Sequence, residues 1–311
     1  MTAIIIKRAI RVVILLFGIT FLSFTLSFFS PGDPAQIMLN SSGGHVSEET
    51  VEKVRKNMGL DRPFLVQYKD WLGGVVKGDL GVSYKSRKPV SELLSGALPM
   101  TLSLTAASML LMILISTPLG VLCALHRNSI LDHIIRIVTY LFAALPSFFF
   151  ALLLLYVLAL KLQIFPVIPN GPAGIIMPVC TLAFTLGAWY VRQIRSMMLR
   201  EMKKDYVRGL RSRGFSEPVI FFRNILKNCA APLITLLSMS FGSMLGGAAI
   251  VESIFVWNGV GKLAVDSITA RDYPMIQGYV VWMTVIFLLI NILADVISRL
   301  IDPRIRREAR I

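Results

Sequence analysis

Side chains that do chemistry are scarce in this sequence. Its 311 residues hold three histidines and three cysteines, and charged groups make up only 16%. His45, His126 and His133 are scattered and no His-Glu-x-x-His string occurs, which excludes that class of zinc hydrolase. His126 and His133 stand seven residues apart, two turns on one helix face, where a solvated pair is the expectation. No Gly-x-Ser-x-Gly elbow is present, and Gly261-Lys262 lacks both the earlier glycine and the following Ser or Thr of a phosphate loop. Cys123, Cys180 and Cys229 form no Cys-x-x-Cys pair and lie in or near apolar segments, so no structural disulfide is expected. The chain is expected to be no enzyme, with no catalytic residue, no metal ligand set and no cofactor of its own.

Charge is also missing from the places where ion-driven carriers keep it, the centres of membrane spans. Glu252 and Asp295 sit at span ends, on opposite sides, and Asp295 has Arg299 four residues on as its expected partner. Energy for transport is therefore expected from another subunit. A carrier driven by an ion gradient, or a membrane-anchored assembly protein, are the competing readings from other classes.

What the sequence has in abundance is apolar residues, at 55%. Runs of about 18 or more, enough for about 27 Å of helix, recur along the chain. They predict an all-α polytopic membrane protein with six transmembrane helices, near 12–29, 99–123, 137–160, 174–191, 232–251 and 278–294. The first run is longer than a signal-peptide core and leads into the turn Ser30-Pro31-Gly32-Asp33-Pro34, so it is expected to remain as a span. Pro118 is expected to kink the second span, Pro146 stands inside the third, and Gly242, Gly246 and Gly247 are expected to allow close helix approach. The domain boundaries follow: 1–29 for the N-terminal tail and first helix, 30–98 for an extracytoplasmic segment, 99–301 for a five-helix core, and 302–311 for a cytoplasmic tail.

The extracytoplasmic segment predicts a small cap. Ser47, Glu48 and Glu49 start a helix that Gly59 ends, and Pro63 opens an amphipathic one with Phe64, Tyr68, Trp71, Leu72 and Val75 on its apolar face. Gly78 to Gly81 reads as a turn, Pro89 as the start of a further short helix, and Pro99 as the entry to the second span.

The net charge of +14 lies on one side of the membrane. With loops assigned alternately and the N-terminus inside, twenty basic and six acidic residues fall inside, against twelve and eleven outside. The positive-inside rule then places both termini in the cytoplasm, and membrane lipid rather than nucleic acid is the expected partner of the basic face.

Ten of the inside cations fall in a basic island, 192–230, between the fourth and fifth spans. Apolar residues recur through it at helical spacing: Ile194, Met197, Met198, Met202, Tyr206 and Leu210, then Val219, Phe222, Ile225 and Leu226. Gly209 and Gly214 interrupt the pattern. Ser216-Glu217-Pro218 restarts it with Ser at the cap and Pro just inside. The expected shape is a helix, an exposed elbow and a second helix, suited to docking a cytoplasmic partner.

The elbow Asp205-Tyr206-Val207-Arg208-Gly209-Leu210-Arg211-Ser212-Arg213-Gly214-Phe215, with Asn224-Ile225-Leu226-Lys227-Asn228 behind it, resembles the coupling loop of ABC importer permeases. That family's loop carries a glycine and then a His-Ile-Leu-Pro-Asn-like string. Here Gly214, Ile225, Leu226 and Asn228 match, while Asn224 and Lys227 replace the His and Pro and Gly209-Leu210 replaces a usual alanine pair. Further matches resemble the first of the two permeases of the dipeptide, oligopeptide and nickel importers. They include Pro31-Gly32-Asp33-Pro34, Met58-Gly59-Leu60-Asp61-Arg62-Pro63, Gln67-Tyr68, Gly78-Asp79-Leu80-Gly81 and Pro89-Val90. Later come Val251-Glu252-Ser253-Ile254-Phe255, Gly259-Val260-Gly261, Arg271-Asp272-Tyr273-Pro274 and Asp302-Pro303-Arg304-Ile305-Arg306, with Asn258 where the family usually has Pro.

The resemblance implies a type I importer permease fold in a bacterial cytoplasmic (inner) membrane. It also implies a heterodimer with a second homologous permease, two ABC ATPase subunits that use ATP and Mg, and an extracytoplasmic substrate-binding protein. The short third-to-fourth connection and the closing NILADVISRLIDPRIRR string look closer to the nickel, cobalt or metal-chelate branch than to the dipeptide or oligopeptide branch. Candidate pathway residues are Ser238, Met239, Ser240, Gly242, Ser243, Met244, Gly246 and Glu252, although small polar residues in a span also serve helix packing. No direct metal ligand set is expected among them.

Overall fold

The computed structural model describes residues 2–40, 47–168 and 171–301. Helix dominates, because a backbone deprived of water must hydrogen-bond within its own segment. Among the described residues, extended pairing is limited to a bridge between Val82 and Pro89. The chain runs through α1 (Thr2–Phe28), α2 (Pro34–Asn40), α3 (Glu48–Asn57), α4 (Phe64–Val76) and α5 (Val90–Leu125). Then come α6 (Ile130–Ala144), α7 (Ser147–Leu154) with a π-turn to Lys161, and α8 (Ile176–Glu201). Last are α9 (Asp205–Ser212), α10 (Glu217–Val219), α11 (Leu226–Ile254), α12 (Val260–Ala270) and α13 (Tyr273–Ile301).

Four helices, Val90–Leu125, Ala173–Glu201, Pro232–Ile254 and Tyr273–Leu293, are long and apolar enough to cross a membrane. The pair Ile130–Ala144 and Ser147–Lys161 supplies a fifth crossing if counted as one span, and Val12–Phe28 is a shorter apolar helix at the lower end of spanning length. These correspond to the six expected segments, with two differences. The third is no single rod: its halves bend by 100° at Pro146. Leu145 is forced out of the helical region, to ψ 126, because a residue before proline avoids it. Conversely, Pro99 interrupts nothing. The helix expected after Pro89 and the second span are one α5, whose 36 residues make about 54 Å of rod. The expected Asp295–Arg299 pair, His45 and the tail 302–311 lie outside what is described.

The chain forms two compact units: Met1–Met100 with Asn258–Leu288, and Thr101–Trp257 with Leu289–Ile311. In the first, Phe17, Phe21, Phe24 and Phe28 repeat every three or four residues along α1. That ladder meets Phe64, Tyr68 and Trp71, the predicted apolar face of α4, at ring distances of 5.1–6.0 Å. Behind it Leu80, Val90, Leu94, Val260, Met275 and Val281 form a core. Buried Asp272 fastens the far loop to this unit: its carboxylate accepts from Ser83 Oγ and from the Tyr84 and Lys85 backbone N–H groups.

The second unit is built around α8. Of its apolar window 61% is buried, against 33% for α5 and for α11, so α8 is the central helix. Tyr190, Ile194, Met197 and Met198 carry its core with Met112, Met244 and Cys229. Two glycines let α5 and α8 close on each other. A Cβ on Gly120 would lie 2.7 Å from Ile194 Cβ, and one on Gly187 would lie 3.0 Å from Ser116 Oγ. The close approach expected at the α11 glycines is not made at Gly246 or Gly247 among the described residues. At Gly246 a Cβ would meet nothing within 4 Å, and at Gly247 only Leu182 at 3.9 Å.

Candidate coupling elbow and translocation face

α8 does not stop where its apolar run ends at Val191. It carries Arg192, Arg195 and Arg200 onward to Glu201, so about the first quarter of the basic island is an extension of the central helix. A turn through Met202–Lys204 then reverses the chain into α9. Tyr206 Oη donates to Glu201 Oε1 at 3.0 Å and Lys204 Nζ lies 2.8 Å from Glu201 Oε2, so one buried carboxylate braces both sides of the turn. Burial pushes the Tyr206 phenol above its ordinary pKa, opposed by its contact with the Asn228 side chain.

The elbow has two faces. Val207 is fully buried and packs in the same core as Ile220, Phe221, Ile225 and Cys229, with Tyr206 and Leu210 at its edge. Asp205, Arg208, Gly209, Arg211, Ser212, Arg213, Gly214 and Phe215 are exposed. Exposure is unbroken from Arg211 to Val219. The turn after α9 is a Schellman close: the Phe215 N–H reaches the Leu210 carbonyl at 3.2 Å and the Gly214 N–H reaches Arg211 at 2.9 Å. That geometry puts Gly214 at φ +80, which a side chain with a Cβ adopts only at a cost. Arg211 then donates to Glu217 through Nε and Nη2, at 2.6 and 3.1 Å, locking the turn to the restarting helix. This hydrogen bond holds the Glu217 carboxyl below its ordinary range. Ser216 takes the cap position as expected, but its side chain makes no capping bond.

One brace of α8 escaped the sequence reading. Asp132, fully buried in the first turn of α6, accepts from Arg195 Nε at 2.8 Å and Nη2 at 2.7 Å, and from the Asn128 N–H at 3.0 Å. Ser129 caps α6 by accepting from the Asp132 N–H. The Ser-x-x-Asp spacing was visible in the sequence. Its partner, 63 residues away, was not.

The pathway candidates divide. Met239, Ser243 and Gly246 share one exposed face of α11, with Ile250 a turn further. Ser238 and Gly242 are half-buried beside it. Ser240 is buried and donates to Tyr190 Oη, and Met244 is enclosed in the core. Glu252 is also fully buried, accepting from Thr101 Oγ1 at 2.6 Å. Among the described residues no group of three or more His, Cys, Asp or Glu could hold a metal ion.

An all-helical, multi-pass chain with a central helix running into a basic, rigidly closed elbow is the membrane-spanning part of a transporter. Two family models cover it. The binding-protein-dependent transport system inner membrane component matches residues 116–307, and the N-terminal part of such a component matches 1–105. The chain belongs to this family and is a permease subunit of an ABC importer, multi-pass in the inner membrane. It is not itself catalytic, ATP being hydrolysed by separate subunits. It is 38% identical to the oligopeptide transport system permease protein AppB of Bacillus subtilis, over 98% of this chain and 99% of that one. It is 34% identical to the nickel import system permease protein NikB of Staphylococcus aureus, over 98% and 92%. Among solved structures, the inward-facing MetNI methionine ABC transporter matches the fold with a TM-score of 0.56 at 17% identity. That match covers 68% of this chain and 96% of that one. An amino acid ABC transporter matches with a TM-score of 0.52 at 20% identity, covering 67% and 94%.

Proposed function

We propose that Asp205–Phe215 is the device by which this permease is driven. The elbow seats on an ATPase subunit, and closure of two such subunits on ATP and Mg is passed through α8 to the spans. The observation that carries this reading is the division of α9, held from below by buried Val207 and open to a partner from Arg211 to Val219. A flexible basic loop attracted to anionic lipid needs neither the buried anchor nor the Schellman close. The transport unit is a heterodimer with a second, homologous permease, fed by an extracytoplasmic binding protein, with both termini of this chain in the cytoplasm. The exposed α11 face of Met239, Ser243 and Gly246 is turned to the pathway or to that second permease.

The cargo is nickel or cobalt carried as a metal chelate, a reading supported by the resemblance of the closing segment to the nickel branch. An oligopeptide is the second reading, favoured by the 38% identity to AppB. Replacing 205–215 by a neutral Gly/Ser linker tests the coupling. Loss of both ATPase co-purification and uptake is expected, and an ATPase that still binds the linker variant overturns it. Competing labelled nickel, with and without a chelator, against a labelled tetrapeptide in a strain lacking the gene assigns the cargo.

A further inference from the structure

A cavity of about 440 Å³ lies in the first unit, at the C-terminal end of α1. That is the size of small-ligand pockets, about 300–1,000 Å³. Phe24 and Phe28, from the last turns of the apolar helix, form one wall, and Trp71 and Tyr273 add aromatic surface. Four charged side chains line the same space: Asp33, Arg55, Arg62 and Asp70. They are matched acid to base. Arg55 Nη1 stands 3.6 Å from Asp33 Oδ2, and Arg62 Nη1 donates to Asp70 Oδ2 at 3.0 Å. Both arginines are about half exposed, so these pairs contribute little to folding. A ligand bearing one charge of each sign could take the place of either partner without leaving an uncompensated charge.

A second observation points the same way. The indole N–H of Trp71 is buried and has no acceptor among the described residues. An enclosed donor without an acceptor is costly, and native structures rarely keep one without a reason. Trp71 lines the cavity, and a small turn of its ring on binding would bring that N–H to an acceptor oxygen held there. None of these residues belongs to the coupling elbow or the α11 face.

We propose that this cavity binds a zwitterion. Its anionic group sits on Arg55 and Arg62 with an oxygen toward the Trp71 N–H, and its ammonium sits on Asp33 and Asp70 against the aromatic rings. A phosphoethanolamine lipid headgroup has this chemistry and is present at the end of a membrane helix. A free amino acid or short peptide carries the same two charges. The site rests on the membrane location of α1 and not on the coupling role of the elbow.

The test uses the full chain purified in detergent with the subunits that accompany it, read by native mass spectrometry and thermal shift. The probes are phosphatidylethanolamine, phosphatidylglycerol, glycerophosphoethanolamine and dialanine. Phosphatidylethanolamine should bind about tenfold more tightly than phosphatidylglycerol. Trp71→Phe removes the donor and leaves a smaller ring, so binding should weaken about fivefold, with the unliganded melting temperature lowered by the lost ring volume. Arg55→Gln with Arg62→Gln, both at exposed side chains, should abolish binding while subunit association is retained. Binding of glycerophosphoethanolamine or dialanine as tight as that of the lipid supports the site and assigns it to a soluble zwitterion. Equal binding of the two lipids, or wild-type affinity in both variants, overturns the proposal.

Discussion

At the scale of single residues, the strongest commitments are buried charges with one designated partner. Asp132→Asn removes the charge that Arg195 grips with two hydrogen bonds and leaves an arginine with its partner gone. A loss of about 3 kcal/mol is expected, seen as a lowered melting temperature in detergent. Arg195→Lys should not preserve the brace, because an ammonium cannot reproduce the two-pronged geometry. Gly120→Ala drives a methyl to within 2.8 Å of Ile194 Cβ and Cγ2 and should cost about 1–3 kcal/mol, and Ile194→Val, which keeps both of those atoms, should recover none of it. The Glu217–Arg211 pair behaves differently. Its depressed carboxyl makes its contribution present above the ordinary carboxylate pKa and lost as pH falls through the folded value, so neutral pH leaves it intact. Individual residues were legible where their role is local, as with Gly59, which ends the helix that Glu48 begins. They were illegible where their partner was far, as with Asp132 and Arg195 or Ser83 and Asp272, 189 residues apart.

Helices were read well as hydrophobic runs and poorly as rods. Hydropathy located each apolar segment, yet proline had opposite effects that composition does not distinguish. Pro99 and Pro118 remain inside α5, Pro232 inside α11, and Pro146 turns the chain through 100°. The elbow was more legible because its signals are local: apolar spacing beneath, glycine at the left-handed position, and a restart at Ser216. Gly214→Arg should leave membrane insertion unchanged and abolish ATPase co-purification, since it places a long side chain on the exposed turn at φ +80. Val207→Asp attacks the other face. A carboxylate in that core should release α9 from beneath, reducing uptake at least tenfold and exposing the elbow to limited proteolysis, while the amount of membrane-inserted chain falls less than twofold.

For the whole molecule, sidedness is the property to measure. A cysteine replacing Ser212 should react with a membrane-impermeant maleimide only in inverted vesicles, and one replacing Lys85 only in intact spheroplasts. Cys123 and Cys229 are buried and Cys180 is half-buried, so the native thiols give a low background. The sequence supplies the expectation of this sidedness through its charge asymmetry, because orientation follows where cations fall along the chain and requires no tertiary contact. It could not disclose which glycines let helices meet, because that depends on what lies opposite. The contact of Gly120 with Ile194 carries a consequence for descent. A Cβ at 120 would meet the Cβ of 194 and the Val191 carbonyl, atoms that survive almost any exchange at those positions, so no smaller side chain opposite makes room. Across diverging relatives glycine should persist at 120 whatever stands at 194, and a branch that has lost it should have these two helices set further apart.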